Sequence, residues 1–390
     1  MLPRKLRLSA VTLIIAFILG IMAPLGVPSS AWAQVPYDNL AVQALRSNYR
    51  LFQSGKSVDG GWGNFGSYDA YILKQAGADV QNWVYGGNSF KSGVVTLIDS
   101  TLAKEATASK ATSQRVAQDY LAAKSVGEND KAGQLLAILH ERQTVSGNVY
   151  FDNNAFSDIA AYELLGRAGK LDDININKAG AISYILGKQE SGAWPPAADW
   201  GPDFMATAQA VRALKYLDPL GGQPAVVAAI NSGCDWLKSK QKSDGCFLGN
   251  VWEDPAVDTA EVITTLKLLE IDPESWSTGG NTAIDYLLAA GSYENITSNT
   301  WVLDACLQLG ADVSVDTALG LRLNPAAVSL NVNGTQQLTA SSFSLNGASA
   351  DVSAATTWSV DNSTTASVLN GLVTGLQSGQ TTVHGVYEEL

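Results

Sequence analysis

The 390-residue sequence contains only three cysteines and two histidines, His140 and His384. So few cysteines exclude a disulfide-rich scaffold and a zinc finger built on thiolates. So few histidines exclude a cluster of histidine metal ligands and leave little choice of a histidine base. Charged residues make up 16% of the chain, and the net charge of −12 excludes the basic surface of a nucleic-acid-binding protein. The hydrophobic share of 46% excludes wholesale disorder.

The N-terminal segment has the layout of a secretory signal peptide. Three basic residues precede the apolar run Val11–Met22, and Ala31-Trp32-Ala33 supplies a cleavage site of small residues. The apolar run is shorter than the about 20 residues of a membrane-spanning helix. The sequence therefore predicts a signal peptide over residues 1–33. It also predicts an extracellular or cell-surface location, with no membrane span after cleavage.

Residues 34–318 have the pattern of helices. Apolar residues recur at three- or four-residue spacing, as in Val226, Ile230, Cys234 and Leu237, and Gly and Pro separate such segments.

Residues 321–390 have a different composition, with no Lys, one Arg and many Ser, Thr, Val and Asn. Short alternating runs occur at 328–332, 357–360 and 381–386. This pattern predicts a small β-sandwich, joined to the helices by a polar linker over 311–320. We expect few contacts across that linker.

The helical region repeats itself. In three places a Gln closes one helix and is followed by Gly and then an apolar or aromatic residue: Gln143–Val149, Gln189–Trp194 and Gln241–Phe247. Asp59–Trp62 is an earlier relative. The aromatic ring is expected to pack in the groove between neighbouring helical pairs. The Gln residues recur after 46 and then 52 residues, which gives about six pairs that can close into a ring.

These fragments resemble the repeats of the terpenoid cyclase and protein prenyltransferase families. Gln241–Phe247 matches their Gln-x-x-x-Gly-x-Trp motif with Phe in place of Trp. Gln189–Trp194 matches it with one residue deleted, and Gln143–Val149 keeps the spacing without the aromatic residue. The resemblance implies an (α/α)6 toroid with a central cavity over residues 34–318.

The C-terminal region resembles the bacterial Ig-like domain, group 2. The segments that carry the resemblance are 333–335, 357–362 and 370–375, and it covers nearly all of 321–390. It implies an exported bacterial protein in which an Ig-like module serves as a spacer or in adhesion. Trp358 is expected to anchor the sandwich core.

The sequence lacks the chemistry of the enzymes it resembles. The Asp-x-Asp-Asp motif, with which the cyclases protonate an alkene, is absent. Asp244 and Cys246 resemble part of the prenyltransferase zinc site, but the position of the third ligand, a His, aligns with Asn299. Asn is a poor zinc ligand. We therefore expect no metal and no cofactor, and the missing motifs favour a non-catalytic protein over an enzyme.

Acidic residues follow the loops that would surround one mouth of the ring, and tryptophans lie near them in the sequence. The carboxylates are Asp199, Asp203, Asp254 and Asp258, and the tryptophans are Trp194, Trp200, Trp252 and Trp301. One interpretation makes them helix caps and groove-filling rings. The other makes them a binding mouth, since aromatic rings beside carboxylates suit a sugar or another amphipathic ligand.

The sequence thus predicts a multidomain protein, first α and then β, that is exported and binds a glycan or amphipathic ligand or a cell-wall or surface partner. The alternative is a cyclase-like or carbohydrate-active toroidal enzyme. A dry aromatic cavity with one buried carboxylate would favour a cyclase, and a wet cleft edged by Asp and Trp would favour glycan binding. A filled centre would favour a structural role.

Overall fold

The computed structural model describes residues 36–147, 149–172, 176–197, 201–250, 253–291, 293 and 295–390. The predicted signal peptide, Asp199, Trp200 and Trp252 lie outside these residues. Twelve α-helices occur in the described part. They are α1 (Pro36–Gln53), α2 (Ser67–Gln75), α3 (Phe90–Lys104), α4 (Ser113–Ser125), α5 (Asn129–Val145), α6 (Ala155–Arg167), α7 (Lys178–Leu186), α8 (Phe204–Leu217), α9 (Pro224–Lys238), α10 (Pro255–Leu268), α11 (Ala283–Ala290) and α12 (Ile296–Leu309).

The even-numbered helices form a closed inner ring. Each of α2, α4, α6, α8, α10 and α12 contacts the next, and α12 contacts α2. The odd-numbered helices lie outside; α1 packs on α12, α5 on α4 and α9 on α8. Because an outer helix runs back between successive inner helices, the inner helices are parallel and their N-termini meet at one end. We name this end the N-terminal mouth and the space inside the ring the lumen. The predicted (α/α)6 toroid is confirmed.

Hydrogen bonds between polar side chains join α2 and α12, the first and last inner helices. The Tyr68 hydroxyl of α2 donates to Asp304 Oδ2 of α12 at 2.9 Å. The Thr300 hydroxyl of α12 donates to Asp69 Oδ1 of α2 at 2.5 Å. Burial raises the pKa of Asp69 to about 6. The ring therefore closes through hydrogen-bonded pairs that link the two ends of the helical region.

The repeat motif fixes its aromatic ring through one backbone hydrogen bond to the following inner helix. The Trp194 N–H donates to Thr207 Oγ1 at 3.0 Å, and the Phe247 N–H donates to Thr259 Oγ1 at 2.9 Å. Both rings are buried, as the repeat predicts.

Two other repeats use an aromatic residue that the sequence alignment did not select. The Phe151 N–H donates to Asp158 Oδ1 at 3.0 Å, so Phe151 takes the place assigned to Val149. In the first repeat Phe65 is buried against Phe52 and Phe90, whereas Trp62 is exposed. The alignment failed here because loop length varies between repeats. The acceptor of the backbone hydrogen bond varies as well, since the Phe65 N–H donates to the Ser57 carbonyl at 2.9 Å.

Twelve short strands occur in the described part, four of them in hairpins between helices. These are β1 (Val84–Tyr85) with β2 (Asn88–Ser89) and β3 (Ser277–Thr278) with β4 (Asn281–Thr282). The C-terminal strands are β5 (Ala318–Asn324), β6 (Thr335–Gln337), β7 (Thr339–Ser344), β8 (Ser349–Asp351), β9 (Thr357–Val360), β10 (Ala366–Leu369), β11 (Leu372–Gly375) and β12 (Val383–Val386). They form antiparallel sheets in the orders β5-β7-β8, β10-β11-β6 and β12-β9.

The first C-terminal strand differs from the expectation. Residues 328–332 alternate in sequence but form no strand, and the chain instead pairs over Ala318–Asn324 with β7. The runs predicted at 357–360 and 381–386 do contain β9 and β12. The strand thus starts inside the predicted linker, because Ala318 and Leu319 have a buried surface to pack against.

The expectation of few contacts across the linker is wrong. Leu319 and Leu345 belong to the same hydrophobic cluster as the helices. The Arg46 Nε of α1 donates to the Ala318 carbonyl at 3.0 Å. A Cβ on Gly320 would lie 2.5 Å from the Tyr49 ring of α1, so only glycine fits this contact. The start of the β region is therefore part of the helical core.

A second, smaller cluster holds the far part of the β region. It contains Leu338, Ala366 and Val373, with Trp358 packed against them. The expected anchoring role of Trp358 is confirmed; its indole Nε1 donates to the Ser353 carbonyl at 3.2 Å. Within the described residues no helix is both long and apolar enough to cross a membrane.

Candidate functional site: the N-terminal mouth

A buried network of ion pairs fills the middle of the lumen. Arg212 of α8, which is 2% exposed, lies between two carboxylates. Its Nε is 3.1 Å from Glu163 Oε1 of α6, and its Nη1 is 2.5 Å from Glu261 Oε2 of α10. The Trp301 Nε1 of α12 donates to the other Glu261 oxygen at 2.7 Å. Four inner helices thus meet through charged and polar groups at one level.

Arg167 of α6 extends this network across the lumen. Its Nη1 is 2.9 Å from Asp304 Oδ2 of α12, and its Nε is 2.6 Å from Glu163 Oε1. Since α6 and α12 are the third and sixth of six inner helices, they stand opposite each other. The Arg167–Asp304 pair therefore links opposite inner helices across the lumen. Charged side chains thus lie in the space where the resemblance implied a central cavity.

The carboxylates predicted at the mouth do cap inner helices. Asp203 Oδ1 accepts from the Ala206 N–H at 2.7 Å, and Asp254 Oδ1 accepts from the Ala256 N–H at 2.8 Å. Asp254 Oδ2 also accepts from the Ser298 hydroxyl of α12 at 2.5 Å. Both aspartates remain partly exposed, so each is a cap that still faces solvent at the mouth.

Asp203 and Asp258 are brought together by Glu253, which sequence reasoning missed. Asp258 is buried and accepts from the Gly249 N–H at 3.0 Å. The Glu253 carboxyl group lies near both Asp258 and Asp203 and, after burial, is among the causes that raise the pKa of each. The three residues form a group of neighbouring acids, which we name the carboxyl cluster.

Burial raises the pKa of Asp258 well above its ordinary value, and the neighbouring Glu253 and Glu261 raise it further. Burial also raises the pKa of Asp203. At neutral pH the carboxyl cluster therefore keeps at least one proton. It can accept hydrogen bonds from hydroxyl groups and donate one, a combination that suits a polyhydroxylated ligand.

The carboxyl cluster predicts that stability falls as the pH rises above about 4. In the unfolded chain Asp258 ionises near pH 4, but in the folded protein it stays protonated to higher pH. Asp258→Asn removes the titrating group, and with it the difference in pKa between the folded and the unfolded chain. Between pH 5 and pH 8 we expect the urea midpoint of Asp258→Asn to fall less than that of the wild type. At pH 8 the midpoint of Asp258→Asn should be the higher of the two. Asp172→Asn, at an exposed carboxylate, serves as the control, and equal slopes for wild type and Asp258→Asn would contradict the assignment.

The tryptophans of the predicted mouth have different environments. Trp194 is buried, and its indole Nε1 donates to the Ile185 carbonyl at 2.7 Å, so it fills a groove and offers no face to a ligand. Trp301 is partly exposed and packs against Tyr68 with ring centroids 4.8 Å apart. Trp200, Trp252 and Asp199 lie outside the described residues.

The candidate zinc ligands have structural contacts. Cys246 is buried, and its N–H donates to Asp244 Oδ1 at 3.2 Å within a turn. Asn299 is buried and donates to Ser47 Oγ at 3.0 Å. In the part of the chain that the structure covers, no group of three or more His, Cys, Asp or Glu side chains has the arrangement of a metal site. The thiols of Cys234, Cys246 and Cys306 are unpaired, and burial raises their pKa to about 12.

A cleft of about 580 Å³ opens at the N-terminal mouth between the loops that precede α4 and α6. Arg142 forms its charged wall, with Nη1 2.7 Å from Asp152 Oδ1 and Nη2 paired with Glu105. Phe151 and Val145 supply apolar surface. We name this feature the rim cleft; sequence reasoning missed it because its residues come from three separate segments.

Comparison with known proteins identifies the C-terminal part. Residues 319–389 match the family model of the bacterial Ig-like domain, group 2. The match starts at the first residues of β5 and supports the resemblance found in the sequence. The chain is therefore a helical ring followed by an Ig-like domain. No curated protein matches the chain.

Solved structures similar to the chain include ring-shaped helical proteins of several kinds. Haptocorrin in complex with Cbi has 12% identity and a TM-score of 0.46, and covers 79% of this chain and 78% of its own. A variant of the type II terpene cyclase MstE from Scytonema, with geranylgeranyl dihydroxybenzoate bound, has 13% identity, a TM-score of 0.44 and coverage of 70% and 98%. A UGL variant with dGlcA-Glc-Rha-Glc has 14% identity, a TM-score of 0.48 and coverage of 71% and 98%.

Proposed function

We propose that the protein is an exported, non-catalytic binding protein whose ligand, a saccharide or an amphipathic small molecule, binds at the N-terminal mouth. The polar and aromatic groups that face solvent at the mouth carry this proposal. Asp203, Asp254 and Trp301 are partly exposed. The lumen below them is crossed by the Arg167–Asp304 ion pair.

Export and surface display belong to the same proposal. The predicted signal peptide over residues 1–33 would direct the chain out of the cell. The match to the bacterial Ig-like domain, group 2, supports this location, since such domains are typical of bacterial surface proteins.

Charge removal at the mouth tests the binding site without removing the helix caps. In Asp203→Asn/Asp254→Asn the Asn side chains still cap α8 and α10, because Asn is as good an N-cap as Asp. We expect the double variant to bind at least roughly tenfold more weakly, a loss of about 1.4 kcal/mol, with an unchanged unfolding midpoint. Affinity is measured by calorimetric titration with the ligand that a glycan and lipid screen selects. Asp218→Asn, at the end of α8 away from the mouth, is the matched control, and equal affinity in all variants would exclude this site.

An enzyme is the second candidate, and the raised pKa of the buried Asp258 carboxyl favours it. General acid catalysis needs a carboxyl group that stays protonated at the working pH, as Asp258 does. The test is product analysis by mass spectrometry after incubation with polyprenyl compounds and oligosaccharides. We expect no product. If the wild type forms a product and Asp258→Asn does not, the protein is an enzyme and the proposal of a non-catalytic binding protein is wrong.

A further inference from the structure

Trp62 is the most exposed large hydrophobic side chain of the described residues, with a relative exposure of 104%. It lies in the loop between α1 and α2, at the N-terminal mouth. An aromatic side chain of this size normally contributes several kcal/mol when buried, and here it packs against nothing. The repeat does not require it, because Phe65 fills the groove of this pair.

The loop holds Trp62 outward on a fixed backbone. The Gly60 N–H donates to the Phe65 carbonyl and the Phe65 N–H to the Ser57 carbonyl, both at 2.9 Å. Asp59 Oδ1 accepts from the Gly61 N–H at 2.8 Å and from Asn64 Nδ2 at 3.0 Å. The indole is therefore presented by a hydrogen-bonded loop, so its exposure is a property of the fold.

The rim cleft lies between the next two loops at the same end of the ring. Its Glu105 and Asp152 carboxylates are held by the buried Arg142, so their oxygens are fixed hydrogen-bond acceptors. Val145, on the cleft, is also largely exposed. The N-terminal mouth thus offers an aromatic face and, separately, an array of fixed polar groups beside apolar surface.

We infer that Trp62 is a stacking platform for the pyranose rings of a polysaccharide, whose further units reach the rim cleft. A pyranose has one apolar C–H face and an edge of hydroxyl groups, which fits an exposed indole in a loop that also carries the polar residues Lys56, Asp59 and Asn64. A lipid surface fits less well, because this loop has no second large apolar residue exposed beside Trp62. The inference deepens the proposed function by naming the ligand class and rests on it.

The test is a depletion assay of the whole mature chain, from Gln34 to Leu390, on insoluble cellulose, chitin, starch and peptidoglycan. Vesicles of phosphatidylcholine with phosphatidylglycerol form a separate arm. We expect the wild type to bind at least one polysaccharide and no vesicle. Trp62→Ala should weaken binding roughly tenfold, and Trp62→Phe should keep most of it, because a stacking ring remains. Leu220→Ala, at a 94% exposed residue on the opposite end of the ring, should bind like the wild type.

The outcomes separate this inference from the proposed function. If the wild type binds a polysaccharide and Trp62→Ala binds it equally well, Trp62 is not a stacking platform, but the proposal of a binding protein stands. Binding to vesicles and to no polysaccharide overturns the ligand class. Failure of the wild type to bind any of these materials overturns the platform and counts against the proposed function as well. Since Trp62 packs against nothing, far-UV circular dichroism should be identical for all variants.

Discussion

Replacing Arg212 with methionine should destabilise the helical ring by about 3–5 kcal/mol, the usual cost of removing one partner of a buried ion pair. Arg212 lies between Glu163 and Glu261, and both carboxylates are themselves buried. Without the guanidinium, Glu261 keeps only neutral donors, such as the Trp301 indole. The measurement is urea unfolding followed by far-UV circular dichroism.

Two further variants make this result specific to the buried charges. Adding Glu261→Gln to Arg212→Met removes the uncompensated charge and should restore part of the lost stability, whereas Glu163 keeps Arg167 as its partner. Glu389→Gln removes the partner of Arg46, but Glu389 is 91% exposed, and its loss should leave the urea midpoint unchanged. If Arg212→Met unfolds at the wild-type midpoint, solvent reaches these carboxylates and the ion pairs are not buried.

The ring could be predicted from sequence because its helices carry a strong period. The apolar spacing of Val226, Ile230 and Leu237 lies in α9, and the recurring Gln–Gly fragments give the correct number of pairs. The Gln amides act between pairs: Gln189 Nε2 donates to the Ala229 carbonyl of α9 at 3.0 Å, and Gln241 Nε2 donates to the Trp276 carbonyl at 3.2 Å. Two of the three copies thus fasten one pair to the next, whereas Gln143 Nε2 donates to the Tyr162 hydroxyl of α6, in its own pair, at 3.4 Å.

One repeated segment was not predicted, although its two copies share a recognisable sequence pattern. Trp83 and Trp276 are both buried, and three positions after each of them begins a Gly pair, which is followed by an Asn and a Ser or Thr. The Gly pairs have positive φ, 57° and 84° at Gly86 and Gly87, which only a residue without Cβ adopts readily in a two-residue hairpin. The two copies were missed because they lie at opposite ends of the helical region.

The candidate site could be predicted only in part. Asp203 and Asp254 were found because capping residues precede helices, which is a local rule. Glu253 is unremarkable in sequence, and its role depends on the fold bringing Asp203 and Asp258 to it. The charged residues of the lumen were missed for the same reason. Nothing local distinguishes Arg167 or Arg212 from a solvated residue on a helix surface.

Leu345→Ala should lower the stability of the helices, although Leu345 lies in the β region. Leu345 is fully buried in the main hydrophobic cluster. Its N–H donates to the Thr317 carbonyl, and its carbonyl accepts from the Asp79 N–H of the segment after α2, both at 2.9 Å. Truncating a buried leucine costs about 2–5 kcal/mol, and here the cavity would open inside the core that helices and strands share. The measurement is thermal unfolding of the full mature chain, followed by the helical far-UV signal and by calorimetry.

Trp358→Ala is the matched comparison, because Trp358 packs in the second cluster with Leu338, Ala366 and Val373 and not in the shared core. It should disrupt the strands around that cluster and leave the midpoint of the helical signal unchanged. Leu345→Ala should instead shift that midpoint downward. If Leu345→Ala leaves the helical signal unaffected, the Ig-like domain is an independent spacer. If both variants shift that midpoint equally, the two hydrophobic clusters unfold as one unit. The strands around Trp358 then do not unfold separately from the start of the Ig-like domain, which packs on the helices.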